Sequence, residues 1–123
     1  MSEAAERPQC KNLVYVTVGT GIGGGVFADG RVVSGTLHPE IGHILLTVHS
    51  SDSAFSGVCP FHGNCLEGLA SGPAIKARWG ASLSELPQDH QAHEIEAYYL
   101  GALCANLVLH YAPEVSVLGG GVM

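Results

Sequence analysis

The apolar positions of this chain change period several times, and each change marks an element. Asn12 to Val18 (NLVYVTV) is β-branched and almost wholly apolar, which predicts a buried strand. The run Gly19-Thr-Gly-Ile-Gly-Gly-Gly25 is expected to break it, with Val26-Phe27-Ala28 resuming the strand. Asp29-Gly30 is a two-residue hairpin signal, after which Arg31 to Ser34 returns. His43 to Val48 predicts another strand, followed by a Ser-rich loop to Gly57. A short helix is expected near Leu66 to Ala70. Ser71-Gly72-Pro73 then opens a second helix, with Ser71 or Gly72 as cap and proline in the first turn, ending at Trp79-Gly80. A long helix is predicted from Ala92 to Tyr111, where Ile95, Tyr99, Leu103 and Leu107 recur at four-residue steps. Further apolar residues beside that stripe predict burial of most of its circumference. Pro113 stops it, and Val115 to Leu118 forms a last strand running into Gly119-Gly-Gly121. Strand, hairpin, strand, helices, strand is an α/β order.

Bulk composition narrows the function classes. A chain of 123 residues suits one domain. Only 13% of its residues are charged, against about 25% in ordinary soluble domains. Both ends read as cut, so we expect part of the surface to be covered by a further segment, a second domain or another copy in a homo-oligomer. Net charge is −6 with the 5 basic residues scattered singly, which argues against a nucleic-acid partner, since that needs a basic face. Met1 to Lys11 is a polar, charged tail without the apolar core of a signal peptide, and no apolar run approaches a membrane span. Two of the 4 cysteines have metal spacing, one lies in the long helix and one in the tail, so a reducing cytoplasm is the expected compartment.

The chemistry concentrates in two places. Cys59-Pro-Phe-His62-Gly-Asn-Cys65 is a C-x2-H-x2-C knuckle, and His43 lies upstream in His38-Pro-Glu40-Ile-Gly-His43. Two thiolates and two imidazoles are a tetrahedral zinc set, complete enough to suggest a structural ion. The plainer alternative is two free thiols among surface histidines. The second place is Gly19-x-Gly21-x-x-Gly24, which matches a dinucleotide fingerprint but lacks the helix that must follow it. Such a turn can still bring backbone N–H groups and the Thr20 hydroxyl close to phosphate oxygens, or it can simply bend two strands. A Walker-type site is excluded because no Gly-Lys-Ser/Thr element exists.

Taken together, these stretches resemble the ROK family of sugar kinases, most closely its bacterial fructokinase branch. The resemblance rests on Val16 to Gly25, His38 to His43, Gly57 to Pro73 and Leu118 to Met123, and spans residues 12 to 123. It implies an actin-like ATPase fold (ribonuclease H-like), of which residues 12–123 are part of the C-terminal domain: a mixed sheet with packed helices and a zinc-binding loop at 57–66. ATP, with Mg²⁺, and a hexose, fructose being favoured, are the implied substrates. Thr20 and Gly21 are similar to the family's phosphate-contacting loop. Gly119, Gly120 and Gly121 resemble the segment beneath the adenosine, and Pro73 is implied near the nucleotide. Glu40 and Glu67 resemble carboxylates that bind sugar hydroxyls, and His43 the histidine that ligates zinc while bordering the sugar, with Cys59, His62 and Cys65 completing the ion's shell. A carboxylate accepting two hydroxyl hydrogens can discriminate sugar epimers; the bland alternative is a pair of solvated surface acids.

One part of the family pattern is missing. The catalytic aspartate of that family sits in an Asn-Asp-x-Asn element upstream of the first strand, and residues 1–11 contain no aspartate. Asp29, Asp52 and Asp89 lie outside any matching element, so none is assigned as the base. The expectation is therefore a partial kinase domain, inactive on its own. Two other classes remain open: the sugar-sensing domain of a ROK transcription repressor, or a zinc-stabilised assembly module without catalysis.

Overall fold

The computed structural model describes residues 10–123, so residues 1–9 of the expected 1–11 tail lie outside the described residues. Four strands form one mixed sheet. β1 (Leu13–Val18) runs antiparallel to β2 (Ile22–Ala28), β2 pairs with the two-residue β3 (Arg31–Val32), and β4 (Val115–Gly119) lies parallel to β1, giving the order β3-β2-β1-β4. Asp29 and Gly30 take positive φ of 54° and 78°, the two-residue turn whose twist matches the flanking strands.

Among the described residues there are three α-helices, α1 (Leu66–Ala70), α2 (Gly72–Trp79) and α3 (Gln91–Tyr111), and α1 and α3 pack on the sheet. Val14, Val16 and Val18 of β1, with Ile22 and Val26 of β2, bury against Leu66 and Leu69 of α1 and Ile95, Tyr99, Leu103 and Leu107 of α3. Ser71 caps α2, its hydroxyl accepting from the Ala74 N–H at 3.3 Å. Gly80, left-handed at φ 77°, ends that helix. Ala112 does the same for α3, just before Pro113.

Three expectations need correction. The glycine run interrupts β1 only at residues 19–21; Ile22 to Gly25 belong to β2 and pair with Tyr15 to Val18. Glycine lowers strand preference, but a neighbouring β-branched strand supplies the register and the hydrogen bonds. The predicted strand His43 to Val48 does not form. Ile41–His43 is a 3-10 turn, and the segment after it is irregular although Ile44, Leu46 and Val48 pack on the core while Leu45 and Thr47 are exposed. Its alternation is real, but it has no strand to pair with among the described residues. Finally, α3 buries one stripe, not most of its circumference: Tyr98, Val108 and Leu109 are exposed, Leu109 by 84%.

Candidate functional site

The knuckle is built by backbone geometry first. Cys59 and Gly63 exchange backbone hydrogen bonds of 3.2 and 2.8 Å, closing a tight loop around Pro60 to His62. Gly68 in α1 lies so close beneath this loop that a Cβ there would overlap the Gly63 carbonyl oxygen. Cys65 precedes α1 directly and is fully buried. Across from it, the Ile41–His43 turn delivers His43, and the Ile44 carbonyl accepts from the Leu66 N–H at 2.9 Å, holding the two segments together.

Four donors meet there. His43 Nδ1 is 3.4 Å from Cys65 Sγ and 3.7 Å from Cys59 Sγ, and His62 Nδ1 is 3.6 Å from Cys59 Sγ. One ligand atom from each of the four residues lies within 4.8 Å of all the others. A tetrahedral ion with bonds of about 2.3 Å to sulfur and 2.0 Å to nitrogen sets its edges at roughly 3.3–3.8 Å, the nitrogen–sulfur edges at about 3.5 Å. The donor set and its three nitrogen–sulfur distances therefore fit a metal ion. Burial opposes ionisation of the Cys59 thiol, but hydrogen bonds from the His62 and Phe61 backbone and the His62 ring bring it down to about 7. Cys65 is pushed up, by burial first and by the neighbouring Cys59 sulfur.

Glu67 sits one helical residue beyond Leu66 and faces two ways. Its Oε1 accepts from the Ile22 N–H at 2.9 Å, at the start of β2, and its Oε2 lies 3.7 Å from His43 Nε2. Glu40 immediately precedes the Ile41–His43 turn, and its side chain is exposed.

The glycine segments converge at the carboxyl ends of the parallel pair β1 and β4. Gly72 N–H donates to the Gly19 carbonyl at 2.7 Å, which brings Pro73 and the start of α2 to the Gly19–Gly21 turn. Val122 N–H donates to Val18 O at 3.0 Å, seating Gly119, Gly120 and Gly121 beside the same strand end. Thr20 is exposed at the tip of the turn. In open α/β sheets this end of the strands is where ligands bind. Thus Thr20, Gly21, Pro73 and Gly119 to Gly121 lie at one edge, and Glu67 ties His43 to it.

Sequence reasoning missed one buried polar node. Asp52, read as part of a Ser-rich loop, is 3% exposed. It accepts from Arg78 Nη1 at 2.7 Å and from the Tyr99 hydroxyl at 2.6 Å. Arg78 Nη2 also donates to the Leu69 carbonyl at the end of α1. Burial, and then the Asp52 hydrogen bond, push the Tyr99 hydroxyl up to about 12. The only available signal was a lone arginine in an otherwise charge-poor stretch. Asp52 is thereby occupied as a structural acceptor, and Asp29 lies in the hairpin turn.

The model of the "ROK family" matches residues 1–123. The chain belongs to the ROK family. Among curated ROK relatives, a fructokinase of Zymomonas mobilis is 51% identical over 112 residues, covering 89% of this chain and 37% of that protein. A fructokinase of Streptococcus mutans is 42% identical over 123 residues, covering 98% of this chain and 42% of that protein. A ROK hexokinase from Thermus thermophilus superposes with a TM-score of 0.71 at 32% identity, covering 92% of this chain and 42% of that one. This ROK chain spans about two-fifths of the length of the relatives it matches. No helix among its described residues is long and apolar enough to cross a membrane.

Proposed function

We propose that this chain is the sugar- and nucleotide-facing part of a hexose kinase, with fructose the favoured sugar and MgATP the phosphoryl donor. The observation that carries the reading is the Glu67 carboxylate, which hydrogen-bonds the first residue of β2 while facing His43. It joins the acid-and-histidine group suited to sugar hydroxyls with the glycine turn suited to phosphates. Fructokinase relatives at 42–51% identity support the choice of sugar.

The division of labour follows from the residues. Glu40 and Glu67 accept hydrogens from the sugar hydroxyls, and His43 borders the same space. The Gly19–Gly21 turn and Gly119 to Gly121 flank the triphosphate and adenosine, with Pro73 at the edge. Phosphoryl transfer depends chiefly on positioning and charge stabilisation; Mg²⁺ supplies the latter when bound with ATP. His43, Cys59, His62 and Cys65 hold a structural zinc ion that fixes the direction of the acids beside them. The base that takes the hydroxyl proton is not among Asp29, Asp52 or Asp89.

The test is calorimetry of the purified chain with MgATP and with fructose, alongside a coupled assay for ADP. We expect binding of at least one ligand and no fructose-dependent ADP. Silence toward both ligands would overturn the kinase reading in favour of a zinc-stabilised module, and a saturable rate would overturn the reading that none of these aspartates serves as the base.

A further inference from the structure

Resting on the metal reading above, the geometry points to Glu67 as a positioning residue through which the state of the His/Cys cluster sets the order of the glycine turn. The connection runs through three residues, His43, Glu67 and Ile22. His43 presents Nδ1 to the two sulfurs, at 3.4 and 3.7 Å, and Nε2 to Glu67 Oε2, at 3.7 Å. An imidazole whose Nδ1 faces an ion carries its proton on Nε2, and a carboxylate at that nitrogen fixes ring and tautomer together. The other oxygen of the same carboxylate receives the Ile22 N–H at 2.9 Å.

The turn and the carboxylate are in direct contact, while His43 faces the carboxylate at ion-pair distance. A Cβ on Gly21 would lie 2.8 Å from Glu67 Oε1, so the turn is packed directly against the carboxylate. Glu67 is also held from below, in the helix that begins right after Cys65 and carries Gly68 against the knuckle. A metal that immobilises His43 and Cys65 therefore holds Glu67 at both its backbone and its carboxylate. The Ile22 amide then gains a fixed, charged acceptor, and the Gly19–Gly21 turn is anchored at its far end. Without the ion, His43 is held only by its weak contacts to the two sulfurs and to the carboxylate, and Glu67 loses the firmness of one of its two neighbours.

Amide hydrogen exchange resolved by NMR tests this on the 123-residue chain, with the amides of Ile95 to Leu103 as an internal reference. In zinc-loaded protein the Ile22 amide is protected, and chelation accelerates its exchange about tenfold, the equivalent of losing a charge-assisted hydrogen bond, while the reference amides hold. Glu67→Gln keeps an oxygen for Ile22 but turns an uncharged amide NH2 toward His43, so its Ile22 exchange responds to chelation by less than threefold or so. Metal bound stoichiometrically with Ile22 exchange indifferent to chelation overturns the coupling and leaves the metal site standing. A uniform rise that includes the reference amides overturns it too, because the loss is then global. Protein that takes up no metal overturns both readings.

Discussion

Replacing Asp52 by alanine isolates the energetics of the one buried ion pair described in this fold. The side chains of Asp52 and Arg78 are only 2% and 8% exposed. Asp52→Ala strands a guanidinium in the protein interior and leaves the Tyr99 hydroxyl without its acceptor. Breaking a buried pair on one side costs about 3–5 kcal/mol. Two features move the expectation to the lower end. Arg78 keeps the Leu69 carbonyl and stacks 4.4 Å over the Phe55 ring, and a cleft of about 300 Å³ beside it admits water. We expect a loss of about 3 kcal/mol, a large part of a domain's usual 5–15 kcal/mol or so. Urea unfolding followed by circular dichroism in zinc-containing buffer reads it as a lower midpoint at unchanged slope. Asp52→Ala/Arg78→Met, which removes both charges, is expected to recover at least half of that loss. A single-variant cost below about 1 kcal/mol, or a double variant whose cost equals the sum of the two singles, would refute the reasoning.

Glu96 in α3 is 4% exposed with both carboxylate oxygens unpartnered, and burial raises it to about 8 against the opposing pull of Arg78. Its neutral form is favoured in the fold, so its contribution is present below about 4.5 and is lost as pH rises through about 8. Glu96→Gln should therefore flatten the decline in urea midpoint between pH 5 and 8 or so, and an unchanged slope would count against that burial effect. Gly68→Ala, forced against the Gly63 carbonyl, is expected to cost about 1–3 kcal/mol. It should also weaken zinc binding at least tenfold or so in competition with a chromogenic chelator, and equal affinity would show that the knuckle does not rest on α1. Ser71→Ala removes the α2 cap and should lower stability by about 1 kcal/mol in the same urea assay. Elemental analysis should find one zinc per chain, and Cys59→Ser and Cys65→Ser should each reduce it; full occupancy in both variants would place the ion elsewhere.

The sequence alone determined the elements whose cause is local. The Asp29-Gly30 turn, the cap (Ser71, of the two candidates Ser71 and Gly72) and Pro73 in the first turn of α2 depend on backbone preferences of a few adjacent residues, and they stand where they were read. That Cys59, His62 and Cys65 lie near one another was legible for the same reason, because the three fall within seven residues and short spacing limits what they can reach. What tertiary structure decided involves partners distant along the chain. Whether Ile44 to Val48 became a strand depended on a neighbour to pair with, which alternation cannot reveal. Ile22 to Gly25 joined β2 because β1 lay alongside, overriding the poor strand preference of glycine. Asp52 became a buried acceptor only because Arg78 and Tyr99, 26 and 47 residues away, arrive at the same oxygen. Glu67 is the clearest case. Its nearness to Cys65 is written in the sequence, but its hold on Ile22, 45 residues earlier, exists only after the helices have packed onto the sheet. Hydrogen bonds of that kind depend on distance in space, and chain order leaves that distance open until the core has closed.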